Sequence, residues 1–276
     1  MIEKKRPLSA VVTYILLLVA VLVCLLPLVW MLSASLKTQN GVFSIPMEWI
    51  PRDPKWSNYL RIWDRIPLGL FTFNSFKLTI IITIIQVITS SFAAYGFAKI
   101  PFKGRDTLFM AYVATIAIPW QVYMLPQFIE MQKLGLVDTH IGYILRQAFI
   151  AFGVFLIRQF YMSIPNELLE AARIDGLNEY GIYFRIVVPL SKPAISTLVI
   201  FSFVTIWNDF MGPNIYFLST ELKTIQLGIR LFISQYGAEY NLVMAASVLA
   251  LIPVLIVFLA FQRFFVQGVA TSGLKG

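Results

Sequence analysis

The 276-residue sequence holds a single cysteine, Cys24, a single histidine, His140, and few charges, with Asp, Glu, Lys and Arg making up 13%. One cysteine excludes an internal disulfide. Cys24 lies inside an apolar run, where it reads as a small packed hydrophobe. His140 stands beside an expected helix start without a second ligand, so a metal site is not expected. For the same reason no catalytic triad can be assembled around it. No segment fits G-x-x-x-x-G-K-[ST], so ATP hydrolysis is not expected of this chain, and it is not read as an enzyme. The basic residues Lys4, Lys5 and Arg6 form the longest basic run. The net charge of +8 therefore points to membrane topology and away from nucleic acid.

What the chain has in excess is apolar surface. Hydrophobic residues make up 58% and the mean hydropathy is +0.76, against roughly 45–50% apolar in soluble domains. Membrane lipid is the natural solvent for that surface, and Tyr and Trp can populate its interfaces. A span needs about 20 apolar residues. Six stretches qualify, near 10–32, 78–98, 108–128, 141–161, 193–212 and 242–261. They must be helices, because an open strand would leave backbone groups unpaired in lipid. The expected fold is an all-α integral membrane protein, one domain over 1–276. The run 10–32 exceeds the ~7–15 residues of a signal-peptide core. Val23 before Cys24 also makes a poor lipoprotein cleavage site, so the run is read as a retained first helix.

Charge near the first and second inner loops sets orientation. With Lys4, Lys5 and Arg6 inside, Lys99, Lys103, Arg105, Arg158, Arg173, Arg185, Lys192, Arg263 and Lys275 also fall inside, and both termini are cytoplasmic. Twelve Lys and Arg fall inside by this reading and ten outside, so the raw count does not decide. Six of the outer ones, Lys37, Arg52, Lys55, Arg61, Arg65 and Lys77, lie in or beside the long connection 33–76. That connection reads as an extracytoplasmic cap. The second long connection, 165–192, is a polar island on the cytoplasmic side. There is no short internal repeat, low-complexity tract or soluble domain.

The island has a readable physics. Pro165 suits a first helical turn, and Glu167 sits near the positive helix end. Leu168, Leu169, Ala171 and Ala172 favour helix. Gly176 fits the position just past a helix end. Asn178 can cap a second short helix, and Pro189 and Pro193 end it and begin the next span. The expectation is two short helices joined at a glycine, with Ala171, Ala172 and Gly176 small enough for another backbone to approach. These residues alone fit equally a docking element and an amphipathic hairpin lying on the bilayer.

The spacing Glu170, Ala171, Ala172, three residues, Gly176, nine residues, then Ile186, Val188 and Pro189 resembles the EAA loop of binding-protein-dependent ABC importer permeases of MetI-like fold. Val188 stands where that family usually has Leu. The segments 93–99, 164–165, 203–210 and the tail 264–276 look like the carbohydrate type, the MalG-like second subunit. The resemblance implies a permease taking up a sugar or oligosaccharide through the inner membrane of a prokaryote. Its partners would be a second homologous permease, a cytoplasmic ABC ATPase dimer carrying ATP and Mg, and an extracytoplasmic solute-binding protein. No cofactor is expected on this chain. By the same resemblance the loop docks on the ATPase, with Glu170, Arg173 and Asp175 as polar contacts and Gly176 as the shaping turn.

Polar groups inside spans are candidates for a translocation path. Gln86 lies roughly 14 Å into the second span, while Asn208 and Asp209 lie roughly 23 Å along the fifth. Gln121 follows Pro119, where a kink would free backbone carbonyls. The alternative for each is hydrogen bonding between helices, with Asp209 hydrated at the outer interface. Two other functions stay open on the sequence. One is a permease for glycerol phosphate or another small solute. The other is an ATPase-independent secondary transporter, which would show charged residues at mid-depth.

Overall fold

The computed structural model describes the backbone of residues 7–234 and 237–273 and the side chains of 10–233 and 237–262. Lys4, Lys5, Arg6, Arg263 and the tail 264–276, Lys275 included, lie outside the residues whose side chains are described. Helix dominates. Among the described residues the one extended pairing is Ile233–Ser234 with Gly237–Ala238. Three helices are each long and apolar enough to cross a membrane, and three bent helix pairs raise the number to six. The chain packs as two units, residues up to Leu68 with Gly228–Ile252, and Gly69–Leu227 with the residues after Ile252.

In the first unit, α1 (Pro7–Ser35) is apolar all round. Its most apolar stretch has a mean hydropathy of 3.1 and none of it is buried within the chain. Such a helix needs lipid or other apolar helices around it. The following connection is held by one buried asparagine at the start of α2 (Asn58–Arg65). The Asn58 amide donates to the carbonyls of Ser35 and Lys37, both at 2.8 Å, and its oxygen accepts from Asn241 at 3.2 Å. Arg61 and Arg65 both face Glu239.

The second unit is organised on α3 (Leu68–Lys99). This helix begins ten residues before the expected span at 78. Asn74, Ser75 and Lys77 lower the hydropathy there without ending the helix. The polar side chains are used on backbone: Asn74 donates to the carbonyls of Glu221 and Lys223, and Ser75 accepts from the Ile225 amide at 2.8 Å. The later expected spans are not continuous helices. The third divides into α4 (Arg105–Ala114) with a 3₁₀ turn, and α5 (Trp120–Lys133), bent by 98°. Pro119 explains the break, since it drives Ile118 out of helical conformation. The fourth divides into α6 (His140–Gln147) and α7 (Ala151–Met162), bent by 41°. The carbonyls freed there are satisfied from α3. Gln86 donates to Gln147 at 2.7 Å and Thr89 to Ala148 at 3.0 Å.

The polar island forms α8 (Asn166–Ile174), α9 (Glu179–Ile182), a π-helical turn over Tyr183–Val187 and α10 (Val188–Leu190). Pro165 stands just before α8 with extended ψ, one position earlier than the first turn expected for it. After a 76° bend comes α11 (Lys192–Trp207). It stops five residues short of the expected end at 212. Asn208 caps it, and α12 (Met211–Tyr216) follows. The remaining helices are α13 (Ile225–Arg230) and α14 (Tyr240–Gly273).

Two buried apolar clusters hold the unit together. One joins Ala94, Ala98, Ile157, Leu169, Ile182 and Val187. The other joins Leu78, Ile82, Tyr143, Ile206 and Tyr216. Helices α3 and α7 approach closely at Gly153, where a Cβ would lie 2.4 Å from the Ser90 Oγ. Gly153→Val should therefore destabilise the protein by about 1–3 kcal/mol through overpacking. Adding Ser90→Gly should recover part of the loss. Thermal unfolding of the purified protein in detergent measures both.

Candidate functional site

Helix α8 ends as the sequence leads one to expect. Gly176 has φ +84°. Its amide donates to the Arg173 carbonyl at 3.0 Å, and the Leu177 amide donates to Ala172 at 3.0 Å. These two bonds define a Schellman turn, which pairs carbonyls that the helix end would leave free. A Cβ at Gly176 would meet nothing within 4 Å in this chain. The backbone conformation alone therefore demands glycine. Asn178 caps α9 by accepting from the Gly181 amide at 2.8 Å.

The small residues do not all face outward. Ala172 is buried with Leu169 against α3 and α7. Glu170, Ala171, Asp175 and Gly176 are exposed, as are Leu168, Ile174 and Tyr180. Ala172 is thus part of the island's own packing, a correction to its reading as a docking surface. Arg173 stays exposed but reaches along the pair, bonding Glu179 at 2.9 Å. Glu179 in turn accepts from Tyr95 of α3 at 2.6 Å. The Arg173 guanidinium, then the Tyr95 hydroxyl, hold the Glu179 carboxyl below its usual range, and Glu179 holds Arg173 up. A depressed carboxyl contributes stability above its unfolded pKa and loses it as the pH falls through the folded value. The pair is therefore intact at neutral pH and is lost only in acid.

A second constellation gathers at the breaks of the later spans. Asp209 lies between α11 and α12. Its carboxylate accepts from Tyr143 at 2.7 Å, Arg146 at 3.1 Å, Gln147 at 3.2 Å and the Gly212 amide at 3.0 Å. The Arg146 guanidinium lies 4.6 Å over the ring of Trp120, with Tyr143 and Tyr216 also near it. The two side chains are only 6% and 18% exposed. Gly212 is required by this packing, since a Cβ there would stand 2.5 Å from both Arg146 and Asp209. Four hydrogen bonds to the Asp209 carboxylate offset the cost of burying it, while the Arg146 Nε finds no partner and relies on the aromatic faces around the guanidinium.

The four path candidates fare differently. Asp209 is at the centre of this cluster, hydrogen-bonded to Tyr143, Arg146, Gln147 and the Gly212 amide. Gln86 is buried and uses its amide on Gln147, whose side chain reaches Asp209. Asn208 is exposed and accepts from Gln226 at 3.4 Å. Gln121 is exposed beside Trp120. Reading the sequence passed over Arg146, Tyr143 and Gln147. A four-residue spacing in a span, Tyr143 to Gln147 with Arg146 between, was the available signal.

Over residues 86–271 the chain matches the family described as binding-protein-dependent transport system inner membrane component. The chain belongs to this family. It is similar to the arabinooligosaccharides transport system permease protein AraQ of Bacillus subtilis, with 35% identity over 92% of each chain. It is also similar to the sn-glycerol-3-phosphate transport system permease protein UgpE of Yersinia pseudotuberculosis, with 36% identity over 99% of each. A crystal structure of a bacterial ABC transporter involved in import of the acidic polysaccharide alginate holds a chain that superimposes with a TM-score of 0.82. That chain is 25% identical, and the match covers 96% of this chain and 99% of the other. The protein is accordingly an inner-membrane permease subunit of all-α fold, with the chemistry of ATP left to other subunits.

In this inner-membrane component the Arg146–Asp209 pair is open to a direct test. Arg146→Leu leaves Asp209 buried and unpaired, and should destabilise the protein by about 3–5 kcal/mol. Arg146→Leu with Asp209→Leu should recover part of that loss, because no lone charge remains. Thermal unfolding of both variants against the parent decides it.

Proposed function

We propose that this permease forms half of the membrane pathway of an ATP-driven carbohydrate importer, and that α8 and α9 dock on a cytoplasmic ABC ATPase dimer. The observation that carries the docking reading is the outer face of α8. Leu168, Ala171, Ile174 and Gly176 are exposed together on a segment otherwise rich in polar residues. Ile174 is 87% exposed. An exposed apolar row rimmed by Glu170 and Asp175 fits a groove on another protein. A bilayer surface fits it less well, because Glu167, Glu170 and Asp175 would meet anionic headgroups.

The remaining partners in this reading are a second, homologous permease and an extracytoplasmic solute-binding protein. ATP and Mg belong to the ATPase. Relatives named for arabinooligosaccharides, together with the segments 93–99 and 203–210, support a sugar or oligosaccharide as substrate. A relative named for glycerol 3-phosphate keeps a phosphate-bearing solute as the second reading. An ATPase-independent secondary transporter would favour free charges at mid-depth. Here Arg146 and Asp209 neutralise each other, which favours the ATP-coupled reading.

Two measurements test this function. The first is orientation. In a Cys24→Ser background, cysteines at Lys103 and Tyr180 should react with an impermeant maleimide only after the cytoplasmic face is exposed. Cysteines at Arg52 and Glu221 should react on intact cells or spheroplasts. Labelling of Tyr180→Cys from outside would end the docking argument. The second is coupling. Gly176→Val should abolish ATP-driven uptake by the reconstituted complex with membrane insertion unchanged. A β-branched residue at positive φ costs roughly 1–2 kcal/mol or more, and its bulk would face the ATPase. Glu170→Lys should give a milder defect. Normal uptake and normal ATPase retention in Gly176→Val would reduce α8 and α9 to a surface hairpin.

A further inference from the structure

Three side chains of α3 stand four residues apart, Ser91, Tyr95 and Lys99, and so share one face of the helix. Each bonds a different part of the polar island. Lys99 donates to the Ile164 carbonyl at 2.7 Å and to Asn166 at 2.8 Å, at the start of α8. Tyr95 donates to Glu179 at 2.6 Å, at the start of α9. Ser91 bonds Tyr183 at 2.7 Å, in the π-helical turn, and Tyr161 of α7 at 2.6 Å. The π turn brings Tyr183 onto this face, and such turns often mark functional places in helices. Tyr183 is buried, with its ring centroid 5.3 Å from that of Tyr95.

Apolar surfaces tolerate sliding, since contact energy changes little with register. Short, directional hydrogen bonds do not, because they weaken steeply with distance and angle. A row of them along one helix fixes that helix to whatever it bonds. Further along α3, Gln86 and Thr89 bond the carbonyls at the break between α6 and α7. Gln147 beside that break bonds Asp209. One helix is therefore hydrogen-bonded both to the exposed helix pair and to the broken spans.

We propose that α3 carries the displacement of the docked helix pair into the membrane, with Ser91, Tyr95, Lys99 and Glu179 as positioning residues that hold the two rigidly together. This rests on the reading that α8 and α9 dock on an ATPase. None of these four residues needs to touch the ATPase or the substrate.

The test uses the complete transporter in liposomes, in a Cys24→Ser background, with spin labels at Glu167→Cys on α8 and Ile88→Cys on α3. Both native side chains are exposed. The distance between labels should be the same without nucleotide and after trapping with ATP and vanadate. In Tyr95→Phe with Glu179→Gln, the trapped state should show a shifted or broadened distance. Basal ATP hydrolysis should then rise about tenfold, while ATPase subunits bound per permease stay at the parental level. A distance that shifts with nucleotide in the parent overturns the proposal. So does a double variant with parental distances and parental hydrolysis. If the double variant does not assemble, the hydroxyl and carboxylate are merely structural and the proposal falls. Absence of bound ATPase from the parent complex would instead defeat the docking reading, and this inference with it.

Discussion

A carbonyl freed inside a bilayer has no water to accept from, and leaving it unpaired costs several kcal/mol. Three helix pairs of this permease are sharply bent, so it must satisfy such groups repeatedly. It does so mainly from α3, the long helix of the second unit. Gln86 and Thr89 donate to carbonyls at the break before Ala151, Asn74 donates to carbonyls of the loop before Ile225, and Ser75 accepts from the Ile225 amide. Ser191 serves its own turn through the Val187 carbonyl at 2.7 Å. The polar residues that look out of place in an apolar helix are the ones that let its neighbours bend.

The bends have a purpose that straight helices could not serve. Each brings a polar group to a place where helices meet inside the unit. The break between α11 and α12 puts Asp209 against Arg146, and the 98° bend before α5 puts Trp120 over the same guanidinium. Charge in this setting is tolerable because it is neutralised, hydrogen-bonded and covered by aromatic faces. An unpartnered arginine there would be a strong attractor for an anionic solute. The paired one instead ties α6 to the α11–α12 corner.

At the other end of the unit the same economy of bonds produces a stiff attachment. Helix α8 is closed by its Schellman turn, α9 by Asn178, and the two are pinned to each other through Arg173 and Glu179. Their buried faces lock onto α3 and α7. Their outer face exposes Leu168, Ala171 and Ile174 beside Glu167, Glu170 and Asp175.

The membrane class and the helix–glycine–helix form of 165–192 were legible in the sequence. Each depends on local composition: hydropathy over about 20 residues, or a glycine and an asparagine where a helix must end and begin. Local signals also marked Pro119 as a kink. They did not show that α3 starts at Leu68, because Asn74, Ser75 and Lys77 resemble the end of a span until their partners in 221–225 are seen. Nor did they show Ala172 turning inward or Glu179 reaching Tyr95, since the face a helical residue presents is set by what packs on it. The Arg146–Asp209 pair lay furthest from view. The two residues are 63 positions apart, and each looks like an isolated charge until the fold brings them to 3.1 Å. Composition determined which solvent this chain lives in. Only the tertiary structure decided which polar groups pair within that solvent, because a hydrogen bond depends on distance in space and sequence fixes only distance along the chain.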